Sequence, residues 1–176
     1  MPSAVTQQSK NSVQDQVERW GAEARKLADS GREVAALEIY QRAADALPGA
    51  PWLQHRTAEL ARKLRQNDVA ISYFRRAAVA FVSAGFERRA IPPLTAAWTL
   101  ARAGLPSTGA VLPRVAEELA ELLRGLGLAT DASVTIEYTE DALRRVGLPY
   151  SASQSSMRVS GIVGPTTDAE RSTGTK

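Results

Sequence analysis

The side chains that usually carry out catalysis or bind metals are few in this chain. His55 is the only histidine, and cysteine is absent. This composition excludes paired imidazole ligands, thiolate nucleophiles and cysteine-bound metals. A serine–histidine triad would have to use His55, because the chain has no second histidine. We therefore expect no catalytic residue, no metal site and no cofactor, and we predict that the protein is not an enzyme.

The one acidic cluster is typical of a solvated helix face. Glu117, Glu118 and Glu121 recur at helical spacing with Arg124 close by, which indicates charge pairs at i,i+3 and i,i+4 rather than general acid–base catalysis. The glycines of the segment 125–127 follow a predicted helix and not a strand. They therefore predict a helix end and not a phosphate-binding loop.

Composition predicts one soluble domain with a mixed-charge surface. The chain has 176 residues, of which 44% are hydrophobic and 23% charged, and its formal net charge is +3. Arginines are interleaved with acidic residues, so we expect that nucleic acid is not a partner. The pairs Arg75–Arg76 and Arg88–Arg89 fit solvated surface charge better than a patch for an acidic partner.

Nothing in the sequence predicts a membrane protein or a secreted one. The polar segment Met1–Lys10 has no apolar core of the kind that signal peptides need. No run approaches the eighteen or so consecutive apolar residues that a membrane span requires. With cysteine absent as well, we predict a cytoplasmic location.

Apolar residues at three- and four-residue spacing predict about seven helices and no strands. Polar residues 1–13 are expected to be disordered. Gly31 is expected to adopt the left-handed conformation that ends the first helix. Asn67 or Asp68 is expected to cap the fourth helix, and the pair at 130–131 the seventh. Pro92 and Pro93 require the fifth helix to begin near Ala90, with both prolines in its first turn. The predicted helices cover approximately residues 13–29, 33–47, 51–65, 69–84, 90–103, 113–126 and 130–146.

Two aromatic residues repeat with the same small neighbours. Tyr40 and Phe74 lie 34 residues apart, and each has alanine four residues before it and three residues after it. Ala24 precedes Ala36 by twelve residues, and Ala58 precedes Ala70 by twelve, so the same register extends upstream. A fixed period of this length is typical of stacked helix pairs.

Residues 17–103 resemble the tetratricopeptide repeat family. A second unit, counted from Pro51, departs from the family pattern at Gln54, Ala61, Arg65 and Val82. A third match around Gly85 makes the fourth helix both the end of one unit and the start of the next. The first unit, counted from Val17, matches at Trp20, Ala24, Gly31, Ala36, Tyr40, Ala43 and Pro48; the second matches at Ala58, Ala70, Phe74 and Ala77; the third matches at Ala78, Phe81, Ala90, Leu94 and Ala97.

The resemblance implies an α-solenoid whose first helices line a concave, partner-binding surface. Residues 14–104 would form the repeats, 110–148 a further hairpin that continues the solenoid, and 149–176 a disordered tail. The asparagines with which some relatives clamp a terminal carboxylate are missing here. By position, the implied partner-binding residues are Arg25, Trp52, His55, Glu59 and Arg62.

The polar tail contains one short apolar segment, which fits either a docking motif or part of a linker. The function that we expect is a protein–protein adaptor or scaffold that binds a segment of another protein. The alternatives are a structural subunit or cargo adaptor of a homo- or hetero-oligomeric assembly, and a nucleic-acid-associated regulator. The candidate docking residues of the tail are Met157, Val159, Ile162 and Val163.

The repeat register can be tested by changing the volume of two of its positions. Replacing Ala36 with leucine should cost about 1–3 kcal/mol through overpacking. Replacing Tyr40 with alanine should cost about 3–5 kcal/mol through the cavity that it leaves. Both variants should melt at a lower temperature than the wild type, and unchanged melting curves would contradict the register.

Overall fold

The computed structural model describes the backbone of residues 4–150 and the side chains of residues 14–150. Within this range the chain forms seven α-helices and no strands, which confirms the predicted all-α fold. The helices are α1 (Ala4–Asp29), α2 (Glu33–Ala46), α3 (Pro51–Lys63), α4 (Asn67–Ser83), α5 (Glu87–Ala103), α6 (Leu112–Gly125) and α7 (Ala129–Arg145).

Two helices begin earlier than the sequence predicts. Helix α1 begins at Ala4 rather than near residue 13, because residues 4–13 contain good helix formers and neither glycine nor proline. Helix α5 begins at Glu87, so Pro92 and Pro93 lie in its second turn and not in its first. The carbonyl groups that lose their donors belong to residues 88 and 89, which are exposed to solvent and accessible to water.

One turn joins most of the helices. Gly31, Arg65, Gly85 and Gly127 all have positive φ angles, between 59° and 79°. The N–H group of the next residue donates a 2.9 Å hydrogen bond to a carbonyl five residues earlier in each case. This is the Schellman arrangement, which closes a helix through one left-handed residue. The prediction that Gly31 adopts this conformation is therefore confirmed.

The turn also explains why the predicted side-chain caps are wrong. The residue that follows each left-handed residue ends the turn. The same residue is the N-cap of the next helix. Gln66 therefore precedes α4 and Leu128 precedes α7, and neither side chain forms a capping hydrogen bond. Asn67, Asp68 and the pair at 130–131 fall inside their helices instead.

The Schellman turns divide the seven helices into three blocks. They join α1 to α2, α3 to α4, α4 to α5, and α6 to α7. Different connections lead from α2 to α3, at residues 47–50, and from α5 to α6, at residues 104–111. The blocks therefore contain two, three and two helices. This pattern agrees with the prediction that α4 ends one unit and begins the next.

Close packing at alanine holds the helices together, and each helix packs chiefly against its neighbours in sequence. Tyr40 and Phe74 are buried as predicted, whereas Phe81 is only half-buried. Small side chains let two helix backbones approach one another, and the aromatic rings fill the space beside them. The alanines that are completely buried include all six of the repeat, Ala24, Ala36, Ala43, Ala58, Ala70 and Ala77, together with Ala90 and Ala97.

Side-chain bonds connect helices that are two apart in sequence. In α2, Asp45 accepts hydrogen bonds from Tyr73 (3.2 Å) and Arg76 (2.7 Å) of α4. In α4, Arg75 donates from its Nε to Glu118 of α6 at 2.7 Å. Together with the alternating helix directions, these bonds arrange α2, α4 and α6 as one layer and α1, α3, α5 and α7 as the other.

The bond to Glu118 corrects the prediction that this residue belongs to a purely solvated face. Both side chains of the Arg75–Glu118 pair are about one-fifth exposed. The hydrogen bond to Glu118 raises the pKa of the Arg75 guanidinium, against the opposing effect of burial. A partly buried pair of this kind fixes the position of α6 on α4.

The left-handed turn at Arg65 predicts an unusual stabilising substitution. The left-handed conformation of an arginine costs about 1–2 kcal/mol of folding free energy, and glycine avoids this cost. Glycine also gives the unfolded chain more conformational freedom, which offsets part of the gain. We expect Arg65→Gly to raise the free energy of unfolding by about 0.5–1 kcal/mol. Chemical denaturation would measure the change.

The matched control is Arg42→Gly, the same substitution at an exposed position within α2. It should lower stability by about 1 kcal/mol, because glycine is unfavourable in a helix interior. A loss of stability in both variants would contradict the account of the turn.

Candidate functional site

A groove of about 520 Å³ lies between α1 and α3, two neighbouring helices of the same layer. Tyr40 of α2 is part of its lining, so the aromatic residue of the repeat also forms the floor of the groove. Ala28 and Leu60 are half-buried and contribute apolar surface. The lining residues are Arg25, Ala28, Asp29, Tyr40, Arg56, Glu59, Leu60, Arg62 and Lys63.

Side chains of α3 contact both α1 and α2 beside the groove. At one end, a Cβ atom added to Gly21 of α1 would lie 3.9 Å from Cη2 of Trp52 on α3. At the other end, Lys63 of α3 forms an ion pair with Glu33, the first residue of α2. These two contacts hold α3 against both α1 and α2.

The groove carries more positive than negative charge. Its lining includes four cationic side chains and two anionic ones, those of Asp29 and Glu59. The side chains of Glu59 and Arg62 form an ion pair at 2.6 Å, and Lys63 is paired with Glu33.

Arg25 and Arg56 differ from the other two cations. Neither forms an ion pair with any residue whose side chain the structure describes, and both are exposed. Their guanidinium groups therefore keep their donors available for a ligand.

The structure brings together three of the five predicted partner-binding residues. Arg25, Glu59 and Arg62 line the groove. Trp52 is not among the lining residues; it lies one helical turn before Arg56 on α3, beside Gly21 of α1, with 51% of its surface exposed. His55 does not line the groove, because its ring packs edge-on against Phe74 of α4 with the ring centroids 5.5 Å apart.

His55 is half-buried in this position, and its Nδ1 atom forms no hydrogen bond with the residues described. The aromatic contact places it between α3 and α4 and away from the open side of α3. The candidate docking residues of the tail, Met157, Val159, Ile162 and Val163, lie outside the described residues.

Sequence reasoning missed three of the charged residues in the groove. Arg56 follows the predicted residue Trp52 by four positions, and Lys63 follows Glu59 by four, so both lie on faces already assigned to binding. Helical spacing alone would have found them. Asp29, at the end of α1, required the structure, because its position depends on how closely α1 approaches α3.

The arginine pairs of the sequence have other roles. Arg75 and Arg76 form ion pairs within the fold, and Arg76 also lies 4.6 Å above the ring of Tyr73. Arg89 lies 5.2 Å from the ring of Phe86, at the exposed turn between α4 and α5. The first pair therefore stabilises the fold rather than forming a patch for a partner.

In residues 4–150, no helix combines the length and apolar character needed to cross a bilayer. Among these residues, no three histidine, cysteine, aspartate or glutamate side chains come together as a metal site would require. No protein-family model matches the chain, and no curated protein matches it.

Proposed function

We propose that this protein is an adaptor or scaffold that binds an extended segment of another protein in the groove between α1 and α3. The observation that carries the proposal is the groove itself, with Arg25 and Arg56 exposed in it and with Tyr40 as its floor. Its chemistry suits recognition, because guanidinium groups donate several hydrogen bonds in fixed directions.

The length of the groove supports a peptide as its occupant. Its lining on α3 runs from Arg56 to Lys63, seven residues farther on, or about 10 Å at the helical rise. An extended segment of about three residues covers the same distance. The mixture of charged and apolar lining also fits a peptide, which presents both kinds of group along its length.

The packing beneath the groove supports tight binding without rearrangement. Ala24, Ala36 and Ala58 are fully buried where α1, α2 and α3 meet the core, and Tyr40 is 7% exposed. Thr57 donates a hydrogen bond of 3.3 Å to the carbonyl of Tyr40 and thereby connects α3 to α2. Walls fixed in this way lose little conformational entropy when a ligand binds.

A selection of random twelve-residue peptides displayed on phage tests this proposal with the full chain as bait. Peptides that bind should shift the amide NMR signals of α1 and α3 and should lose at least about tenfold in affinity when Ala28→Phe fills the groove. The matched control is Ala103→Phe, an exposed position at the end of α5.

Thermal melts would first establish that both phenylalanine variants are folded. Failure to enrich any peptide, or enriched peptides whose binding is equal in the two variants, would argue against the groove as the binding site. A cytoplasmic location stays a prediction, and so does membership of the tetratricopeptide repeat family.

A second candidate function, a structural subunit of a larger assembly, is favoured by the outer face of α7. Val134 is 41% exposed and Tyr138 is 57% exposed, one helical turn apart. These two side chains are exposed on the last described helix of the stack, where no further helix among residues 4–150 covers them.

If this face joins copies of the chain, light scattering should detect an oligomer that Tyr138→Glu dissociates. Glu137→Gln, on the same helix and exposed, is the control and should leave the oligomer intact. A wild-type chain that is monomeric at all concentrations would exclude self-association through α7.

A further inference from the structure

The last described residues turn back along α6 after α7 ends. Gly147 has a φ angle of 73°, and the N–H group of Leu148 donates a 3.0 Å hydrogen bond to the carbonyl of Leu143. This is again the Schellman arrangement, which closes a helix through one left-handed residue. Turns of this kind elsewhere in the fold lead into a helix that runs back along the one before it. The chain therefore reverses its direction at Gly147.

Two contacts fix the course of the segment that follows the turn. Leu148 fills a space beside Gly109, where a larger side chain would collide with it. Tyr150 lies farther along α6, and its hydroxyl donates a 3.4 Å hydrogen bond to Glu117. Both side chains are half-buried and pack against the core. Because Gly109 precedes α6 and Glu117 lies in its second turn, the segment runs in the direction of α6.

Tyr150 lies close to both helices of the last hairpin. Burial and the carboxylates of Glu117 on α6 and Glu140 on α7 raise the pKa of its hydroxyl to about 12. Glu121 follows Glu117 by four residues and Ile136 precedes Glu140 by four, so each pair shares one side of its helix. We call the surface formed by these four residues the α6–α7 face.

The described residues leave the α6–α7 face without a covering element. No helix follows α7 within residues 4–150. Ile136 packs against the core and is half-buried, so part of its apolar surface stays accessible. Glu117, Glu121 and Glu140 form no ion pair with any residue whose side chain the structure describes. The face therefore offers an apolar contact and three carboxylates.

The chain itself supplies a segment of matching chemistry, which begins on this face directly after Tyr150. Met157 and Val159 are apolar, and Arg158 between them is the only charged residue from 151 to 167. A serine-rich chain of seven to nine residues spans about 13–18 Å on average. The face extends about 12 Å from Glu117 to the end of α6 at the helical rise. All three side chains are therefore within reach of it.

We propose that residues 151–163 of the chain's own tail bind on the α6–α7 face. Met157 and Val159 supply apolar contact to Ile136, and Arg158 pairs with the carboxylates of the face. The apolar segment of the tail is then held within the molecule, and a partner that binds this segment has to displace it first.

Attachment of the segment to the face makes weak contacts sufficient. A short flexible connection gives an effective concentration of about 1 mM. A contact with a Kd of about 0.1 mM then holds the segment in about nine of ten molecules. The peptide bond after Arg158 is accessible in the remaining tenth.

Digestion of the full chain with trypsin compares two sites in the same tail. Cleavage after Arg158 should be at least about tenfold slower than in a synthetic peptide of residues 151–176, because the protease cuts only the open form. Cleavage after Arg171, outside the proposed segment, is the internal control and should proceed at the same rate in both. A ratio of the two rates that is equal in chain and peptide would overturn the proposal.

A charge reversal identifies the surface that protects Arg158. Glu121→Lys should speed cleavage after Arg158 about threefold, because it replaces attraction with repulsion at an exposed pair. The matched control is Glu38→Lys, an exposed position within α2, which should change neither rate. Equal effects of the two substitutions would reject the α6–α7 face. Protection that disappears on dilution would show that the tail of a second copy is bound, and would reject binding within one chain.

Discussion

The close approach of helix backbones at fully buried alanines is the constraint on which the rest of this fold depends. Where Ala24, Ala36 and Ala58 are buried, neighbouring helices have no room for a larger side chain. The aromatic residues then fill the wider gaps that remain. Tyr40 shows the connection to the binding surface, because the ring that completes this packing is also the floor of the groove.

Bonds between alternate helices add a second level of order. Asp45 connects α2 to α4, the Arg75–Glu118 pair connects α4 to α6, and Trp98 donates a 2.9 Å hydrogen bond to Thr139 and so connects α5 to α7. Between α1 and α3 the described residues form no comparable polar bond, and the side chains there stand apart around the groove. The groove therefore lies where no polar bond bridges α1 and α3, and its Arg25 and Arg56 have no ion-pair partner among the described side chains.

The sequence predicted the features that depend on local or repeated patterns. The seven helices, the buried alanines and the left-handed conformation of Gly31 all follow from spacing and from the properties of small residues. The helix boundaries were less accurate. The starts of α4 and α7 are set by the preceding Schellman turn, and the side chains of Asn67 and Asp68 have no part in it.

The candidate site was predictable only in part, for a related reason. Arg25, Glu59 and Arg62, which share a face on the first helices of their pairs, all line the groove, and their binding of a partner stays a prediction. The position of His55 depends on the packing of α4, and that of Glu118 on the distance between α4 and α6. Contacts between residues distant in sequence follow from the assembled core and leave no periodic trace.

The division into blocks of two, three and two helices gives the stack a direction. Successive helices alternate in direction, and the middle block has an odd number of them. The first helix of the last block, α6, therefore runs antiparallel to α1 and α3, the first helices of the other two blocks. The turn at Gly31 therefore lies on one rim of the stack and the turn at Gly127 on the opposite rim. On either rim, a large partner therefore meets the turn of a terminal hairpin at one end of the stack and not at the other. Such a partner can distinguish the two ends of the molecule, although the helices at both ends are similar.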